Sequence, residues 1–192
     1  MNIAIIYGTT TGMTLDVADR IKQQLGDLAE DPIDVCQFKV DDLDKYDALL
    51  LGIPTWDVGE MQYDWAEDAA SFVVPALAGK KIGLFGCGDQ VTYADTFGDA
   101  LGLLWDILEP SGPELIGRWP TDTYDFEASL GERDGQFLGL LCDEDTQPER
   151  SDERIATWCN QLKRELGLEA AAAPHAAAAI TPSSASAPTR RT

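Results

Sequence analysis

Short runs of consecutive apolar residues alternate along this chain with longer stretches in which apolar positions recur every three or four residues. Apolar runs suit strands covered on both faces, and the longer period suits amphipathic helices packed on them. The first strand is predicted from Asn2 to Tyr7, followed by a polar loop, Gly8 to Met13. A helix is expected from about Thr14 to Leu28, with Leu15, Ala18, Ile21, Leu25 and Leu28 on one stripe. Ile33–Phe38 reads as a second strand and Asp47–Ile53 as a third. Tyr63–Val74 reads as a helix stopped by Pro75, Lys81–Phe85 as a fourth strand, and Asp95–Leu108 as a helix ended by Pro110 and Gly112.

Glu114–Gly117 begins a fifth strand, and Phe137–Leu141 (F-L-G-L-L) reads as its continuation. The polar, turn-rich stretch Arg118–Gln136 between them is an insertion that splits one strand. A last amphipathic helix, Arg150–Leu166, turns Ile155, Trp158, Cys159, Leu162 and Leu166 inward. The fold class implied is α/β, a doubly wound five-stranded parallel sheet with helices on both faces. Residues 1–168 form the predicted domain. From Glu169 the composition narrows to Ala, Pro, Ser and Thr, and 169–192 is expected to be a disordered tail.

Composition narrows the function. With 34 acids against 14 lysines and arginines, the formal charge is -20. Such a surface repels nucleic acid and favours either a basic protein partner or a saline habitat. No apolar run reaches the roughly 20 residues of a membrane span, and the start lacks the features of a secretion signal. Cys36, Cys87, Cys142 and Cys159 form no C-x-x-C pair, so free thiols in a reducing cytoplasm are expected rather than zinc or a redox dithiol. The only histidine, His175, lies in the tail, which removes histidine catalysis from the folded part.

In a doubly wound sheet, ligands sit beyond the carboxyl ends of the strands, where strand order reverses. The loop after strand one, Thr9-Thr10-Thr11-Gly12-Met13-Thr14, runs directly into a helix. A helix start is an anion site, and hydroxyls add donors to it. The same threonines also make good helix caps without any ligand. The loop has neither the lysine of a nucleoside-triphosphate loop nor a G-x-G-x-x-G pattern, so a monophosphate ester fits best. After strand three, Pro54-Thr55-Trp56-Asp57-Val58-Gly59-Glu60 places a tryptophan at a strand end. After strand four, Gly86-Cys87-Gly88-Asp89-Gln90-Val91-Thr92-Tyr93 adds two glycines and a second aromatic. Trp56 taken alone reads more readily as loop packing. Together the three loops supply phosphate donors and two flat faces for a planar group.

The T-x-T-G-x-T loop, the P-T-W-x-x-G-E-x-Q turn and the G-x-G-D-Q-x-x-Y-A-D segment, in this order and spacing, resemble the long-chain flavodoxins. The resemblance continues through Trp119-Pro120-Thr121-Asp122-Thr123-Tyr124-Asp125-Phe126 and Leu141-Cys142-Asp143-Glu144-Asp145 to Leu168. It implies a flavodoxin-like sheet order 2-1-3-4-5 and one non-covalent FMN. Thr9, Thr10, Thr11, Gly12, Met13 and Thr14 would hold its phosphate, and Trp56 and Tyr93 would sandwich its ring. Thr55, Asp57, Val58 and Gly59 would line the inner edge, Cys87, Gly88, Asp89 and Gln90 the pyrimidine side, and Asp145 the ribityl chain. The resemblance also implies that the Asp57–Val58 peptide turns its carbonyl toward the flavin on one-electron reduction. Two departures stand out: Met13 replaces a common lysine or asparagine, and Asp57 a common asparagine or glycine.

The implied function is a cytoplasmic, monomeric, low-potential single-electron carrier, not an enzyme. It would serve basic redox partners such as a ferredoxin–NADP reductase or photosystem I, in place of ferredoxin, with no membrane insertion. An NAD(P)H-dependent flavin or quinone reductase on the same fold is the alternative. It would need a second pocket, and Tyr93 would cover the face a hydride donor requires. A receiver-type signalling domain would need acids at the end of strand one, where Gly8 and Thr9 stand.

Overall fold

The computed structural model describes residues 1–168; the predicted tail 169–192, with His175, lies outside the described residues. In chain order the elements are β1 (Ile3–Tyr7), α1 (Met13–Leu25), β2 (Ile33–Asp34), β3 (Ala48–Gly52), β4 (Thr55–Trp56), β5 (Glu60–Met61), α2 (Tyr63–Asp68) and β6 (Lys81–Cys87). There follow α3 (Asp99–Leu108), β7 (Glu114–Ile116), β8 (Trp119–Pro120), β9 (Glu132–Arg133), β10 (Gln136–Phe137), β11 (Gly139–Cys142) and α4 (Pro148–Glu165). The main sheet is parallel, ordered β2-β1-β3-β6, with β7 and β11 sharing the fifth position. Lys81–Gly83 pair with Glu114–Ile116, and Leu84–Cys87 with Gly139–Cys142, so β6 has a partner along its whole length. This is the predicted order, with the insertion opening the fifth strand between its two halves.

Burial explains the sheet. Ile3–Ile6 and Ala48–Leu51 are fully inaccessible, as are Ile82, Leu84 and Phe85. Each buried Ile, Leu or Phe side chain stabilises the fold by about 1.5–3 kcal/mol relative to exposure. Helices α1 and α4 pack on one another, while α3 packs against a 3-10 turn at Ala69–Phe72. Trp158 of α4 donates its indole N–H to the Gly117 carbonyl (2.7 Å), fixing the chain where the insertion begins.

Several elements differ from expectation, beginning with α1, which ends at Leu25 and leaves Gly26–Leu28 in a 3-10 turn. The second strand stops after Asp34, because the Asp34 carboxylate accepts the Cys36 N–H (2.9 Å) and starts a 3-10 turn. The expected helix Tyr63–Val74 is α-helical only to Asp68 and then tightens, with the Ser71 hydroxyl bonded back to the Asp68 carbonyl. The expected helix from Asp95 begins at Asp99. Its N-cap is Gly98 at φ 74°, where a Cβ would lie 2.4 Å from Leu141.

The insertion is more ordered in design than its polarity suggests. It folds into a three-stranded antiparallel sheet, β8-β10-β9. Strands β9 and β10 meet at Asp134–Gly135, both at positive φ (58° and 78°), the geometry for which Asp-Gly hairpins are selected. Phe126 and Tyr124 pack on Phe137 with ring centroids 5.0 and 5.2 Å away, and Phe137 packs on Phe97 at 5.8 Å. The buried Arg154 guanidinium lies 3.9 Å over the Tyr124 ring and donates to the Thr123 carbonyl (3.1 Å).

Candidate functional site

At the carboxyl end of β1, Gly8 leaves the sheet with its N–H on the Gly52 carbonyl (3.0 Å). A Cβ there would meet Gln62 Oε1 and Trp65 Cδ1, each at 2.5 Å, so only glycine lets this loop lie flush. The Thr9 hydroxyl accepts the Gly12 N–H (3.0 Å), bending the chain into the start of α1. Gly12 is the N-cap and offers no side-chain acceptor, so the first-turn N–H groups stay unclaimed at the positive end of a helix dipole. Thr14 is fully buried. Its hydroxyl approaches the Cys87 thiol but makes no hydrogen bond of normal geometry. An orphaned hydroxyl beside an uncapped helix start suits an anion with several acceptor oxygens.

Beyond β3, the chain passes Pro54 and folds back as the β4–β5 hairpin, with Trp56 opposite Glu60. Asp57 lies at φ 46° and Gly59 at φ 87°, while Val58 at the tip is 80% exposed. Gly59 is required by packing, since a Cβ would fall 2.5 Å from the Asp99 carboxylate. Thr55 accepts the Ala100 N–H (3.2 Å), securing the hairpin to α3. Trp56 is half-buried, and its indole N–H is buried without an acceptor.

The opposite wall consists of the loops after β6 and β11. Asp89 accepts the N–H groups of Val91 (2.9 Å) and Thr92 (2.8 Å). Burial pushes its carboxyl up, but these bonds and the Thr92 hydroxyl outweigh that and hold it below the ordinary range. Asp143 is fully buried. Its carboxylate accepts from the Gln90 N–H (3.1 Å), the Gln90 amide (2.7 Å), the N–H groups of Asp145 (3.1 Å) and Thr146 (2.8 Å), and the Thr146 hydroxyl. The Gln90 carbonyl in turn accepts the Asp125 N–H (2.6 Å) from the insertion. Burial raises the Asp145 carboxyl, and the charges of Asp89, Asp143 and Glu144 push it further. Burial likewise pushes the Cys87 thiol up to about 12, so it is an inert neutral group.

Between these walls lies a cavity of about 420 Å³, within the roughly 300–1,000 Å³ typical of small-molecule sites. The Thr9–Thr14 loop contributes Thr11 and Met13, the hairpin Thr55, Trp56 and Asp57, and the opposite wall Cys87, Gly88, Asp89, Tyr93 and Asp145. Thr9, Thr10, Gly12 and Thr14 belong to the same loop without lining the cavity. Val58 and Gly59 shape the hairpin from outside it. For Gln90 the expected contact is corrected: its side chain is buried and committed to Asp143 and Asp125, so it braces the wall instead of lining it. Glu144 lines the cavity beside Asp145, and Pro54, Thr96, Phe97 and Gly98 also line it and were not foreseen. Phe97 reaches the cavity from the aromatic cluster of the insertion, which no local pattern signals. An uncapped helix start, the Thr14 hydroxyl and half-buried Trp56 fit a planar group carrying a phosphate tail.

A family model described as Flavodoxin matches residues 5–158. The flavodoxin of Klebsiella pneumoniae is 46% identical over 168 residues, covering 87% of this chain and 96% of its own length. The flavodoxin of Synechococcus elongatus is 43% identical over 167 residues, 86% of this chain and 98% of that protein. Among solved structures, Fusobacterium nucleatum flavodoxin bound to flavin mononucleotide superposes with a TM-score of 0.79 at 30% identity, covering 85% of this chain and 98% of that one.

Proposed function

The chain belongs to the flavodoxin family, and on that premise we propose that its cavity holds FMN with the phosphate at the start of α1 and the ring between Trp56 and Tyr93. The protein is an FMN electron carrier without a substrate of its own, and its split fifth strand is that of the long-chain class. The reductase alternative is therefore set aside. The flavin supplies one-electron redox chemistry, and the chain binds, orients and tunes it.

In this reading the loop Thr9–Thr14 binds the phosphate through N–H groups and hydroxyls. Thr55, Asp57, Val58 and Gly59 shape the inner edge of the ring site. Cys87, Gly88 and Asp89 face its pyrimidine side, while Asp145, with Glu144, borders the ribityl chain. Asp57, Asp89, Asp143, Glu144 and Asp145 surround the site with negative charge. They disfavour an extra electron on the flavin and hold its lower potential down. The partners are basic redox proteins of the cytoplasm, such as a ferredoxin–NADP reductase or photosystem I, served in place of ferredoxin and found by electrostatic steering toward a chain of formal charge -20.

The observation that carries this reading is the uncapped helix start with the orphaned Thr14 hydroxyl, at one end of an aromatic-walled cavity. It is tested by titrating the apoprotein with FMN and with riboflavin. Riboflavin lacks the phosphate and forfeits several charge-assisted hydrogen bonds of about 1.5–3 kcal/mol each. It should bind at least about a hundredfold more weakly. Equal affinities would remove the Thr9–Thr14 loop from the site.

A further inference from the structure

Arg20 lies two turns into α1, the helix whose start closes the phosphate end of the cavity. Its guanidinium pairs with three carboxylates: Asp16 (2.9 Å), Asp152 (3.2 Å) and Glu144. The partners differ in exposure. Asp16 and Asp152 are 66% and 86% exposed, whereas Glu144 is 13% exposed and Arg20 itself 21%. Exposed pairs contribute little, while a shielded pair is screened far less, so the coupling concentrates on Glu144. Glu144 lines the cavity, and it belongs to the loop crowded with Asp143 and Asp145. Among the described residues, Arg20 is the cation that ion-pairs with a carboxylate of the cavity wall.

Resting on the FMN reading above, we propose that Arg20 is a positioning residue of the cofactor site, acting through Glu144. It draws one wall carboxylate onto α1 and offsets part of its charge. The helix start that receives the phosphate and the loop that borders the ribityl chain are thereby held together. Met13 leaves the phosphate loop without a cation of its own. Compensation comes instead from the helix behind it, one residue removed from contact.

The test is a double-mutant cycle of wild type, Arg20→Gln, Glu144→Gln and the double variant. FMN affinity and both one-electron potentials are measured, with circular dichroism melts alongside. Arg20→Gln should weaken oxidised FMN about tenfold, since coupled charges in one network interact by amounts of this order. Because the uncovered carboxylate opposes the fully reduced, anionic flavin more strongly, reduced FMN should lose a further factor of about ten. That lowers the second potential by about 59 mV. In the Glu144→Gln background the same change should have no effect, and Arg20→Lys should weaken FMN only about threefold. A merely structural role would lower the melting temperature without moving the potential. If Arg20→Gln does not fold, Arg20→Lys carries the cycle, with about a threefold weakening expected. Equal penalties in both backgrounds, or no penalty, would overturn the role of Arg20. A wild-type protein that binds no FMN would overturn the functional reading itself.

Discussion

The two walls of the cavity are built on opposite plans. The β4–β5 hairpin is held at its base, by Thr55 on α3 and Gly59 against Asp99, and its tip is bare. It carries a left-handed Asp57 and a Val58 that touches little. The facing wall is fastened from behind. One buried carboxylate, Asp143, gathers five donors from two loops, and Gln90 passes the connection on to the insertion. The hairpin stores its cost in one backbone dihedral, whereas the opposite wall stores its cost in a desolvated charge. One wall can therefore change conformation at little expense to the fold, while the other is held in place.

The sharpest way to break this contrast is Asp143→Ala. Five donors lose their acceptor, and unfolding stability should fall by about 3 kcal/mol, read as a lower urea midpoint at unchanged m. A loss below about 1 kcal/mol would mean the wall is not fastened there. Next in size, Trp56→Ala and Tyr93→Ala should each weaken FMN by about 1–3 kcal/mol while leaving apoprotein melting nearly unchanged, since both rings act on the cavity. Loss of fold in place of loss of affinity would show them to be packing residues. The smallest effect belongs to Asp57→Gly. Asp57 already stands at φ 46°, so part of the left-handed cost is borne before any electron arrives. Glycine should relieve at most about 1 kcal/mol and raise the first potential by no more than about 40 mV. An unchanged or lower first potential would place no redox-linked strain in the hairpin.

The same contrast separates what was legible in the sequence from what was not. The apolar run Ala48–Leu51 and the Ala18, Ile21 and Leu25 stripe of α1 are properties of neighbouring residues, and periodicity reads them directly. So is the hairpin, whose Trp-Asp-Val-Gly tip announces a turn beside an aromatic. Asp34 ended a strand with a single side-chain bond, which alternation cannot register. Gln90 had the look of a surface contact, because its partners Asp143 and Asp125 are 53 and 35 residues away. Phe97 likewise lines the cavity while packing on Phe137, which lies beyond the insertion in sequence. Locally determined contacts were readable. Those that bring distant loops together depend on the assembled sheet.

The Asp134–Gly135 turn gives the molecule a practical asymmetry. It lies at the tip of the β9–β10 hairpin, solvent-exposed, and neither residue lines the cavity. The register of β11 comes from pairing with β6, so the strand that presents the acidic loop does not rely on the length of this tip. A short peptide spliced between Asp134 and Gly135 would serve as a mooring for grafting the protein to an electrode or fusing it to another chain.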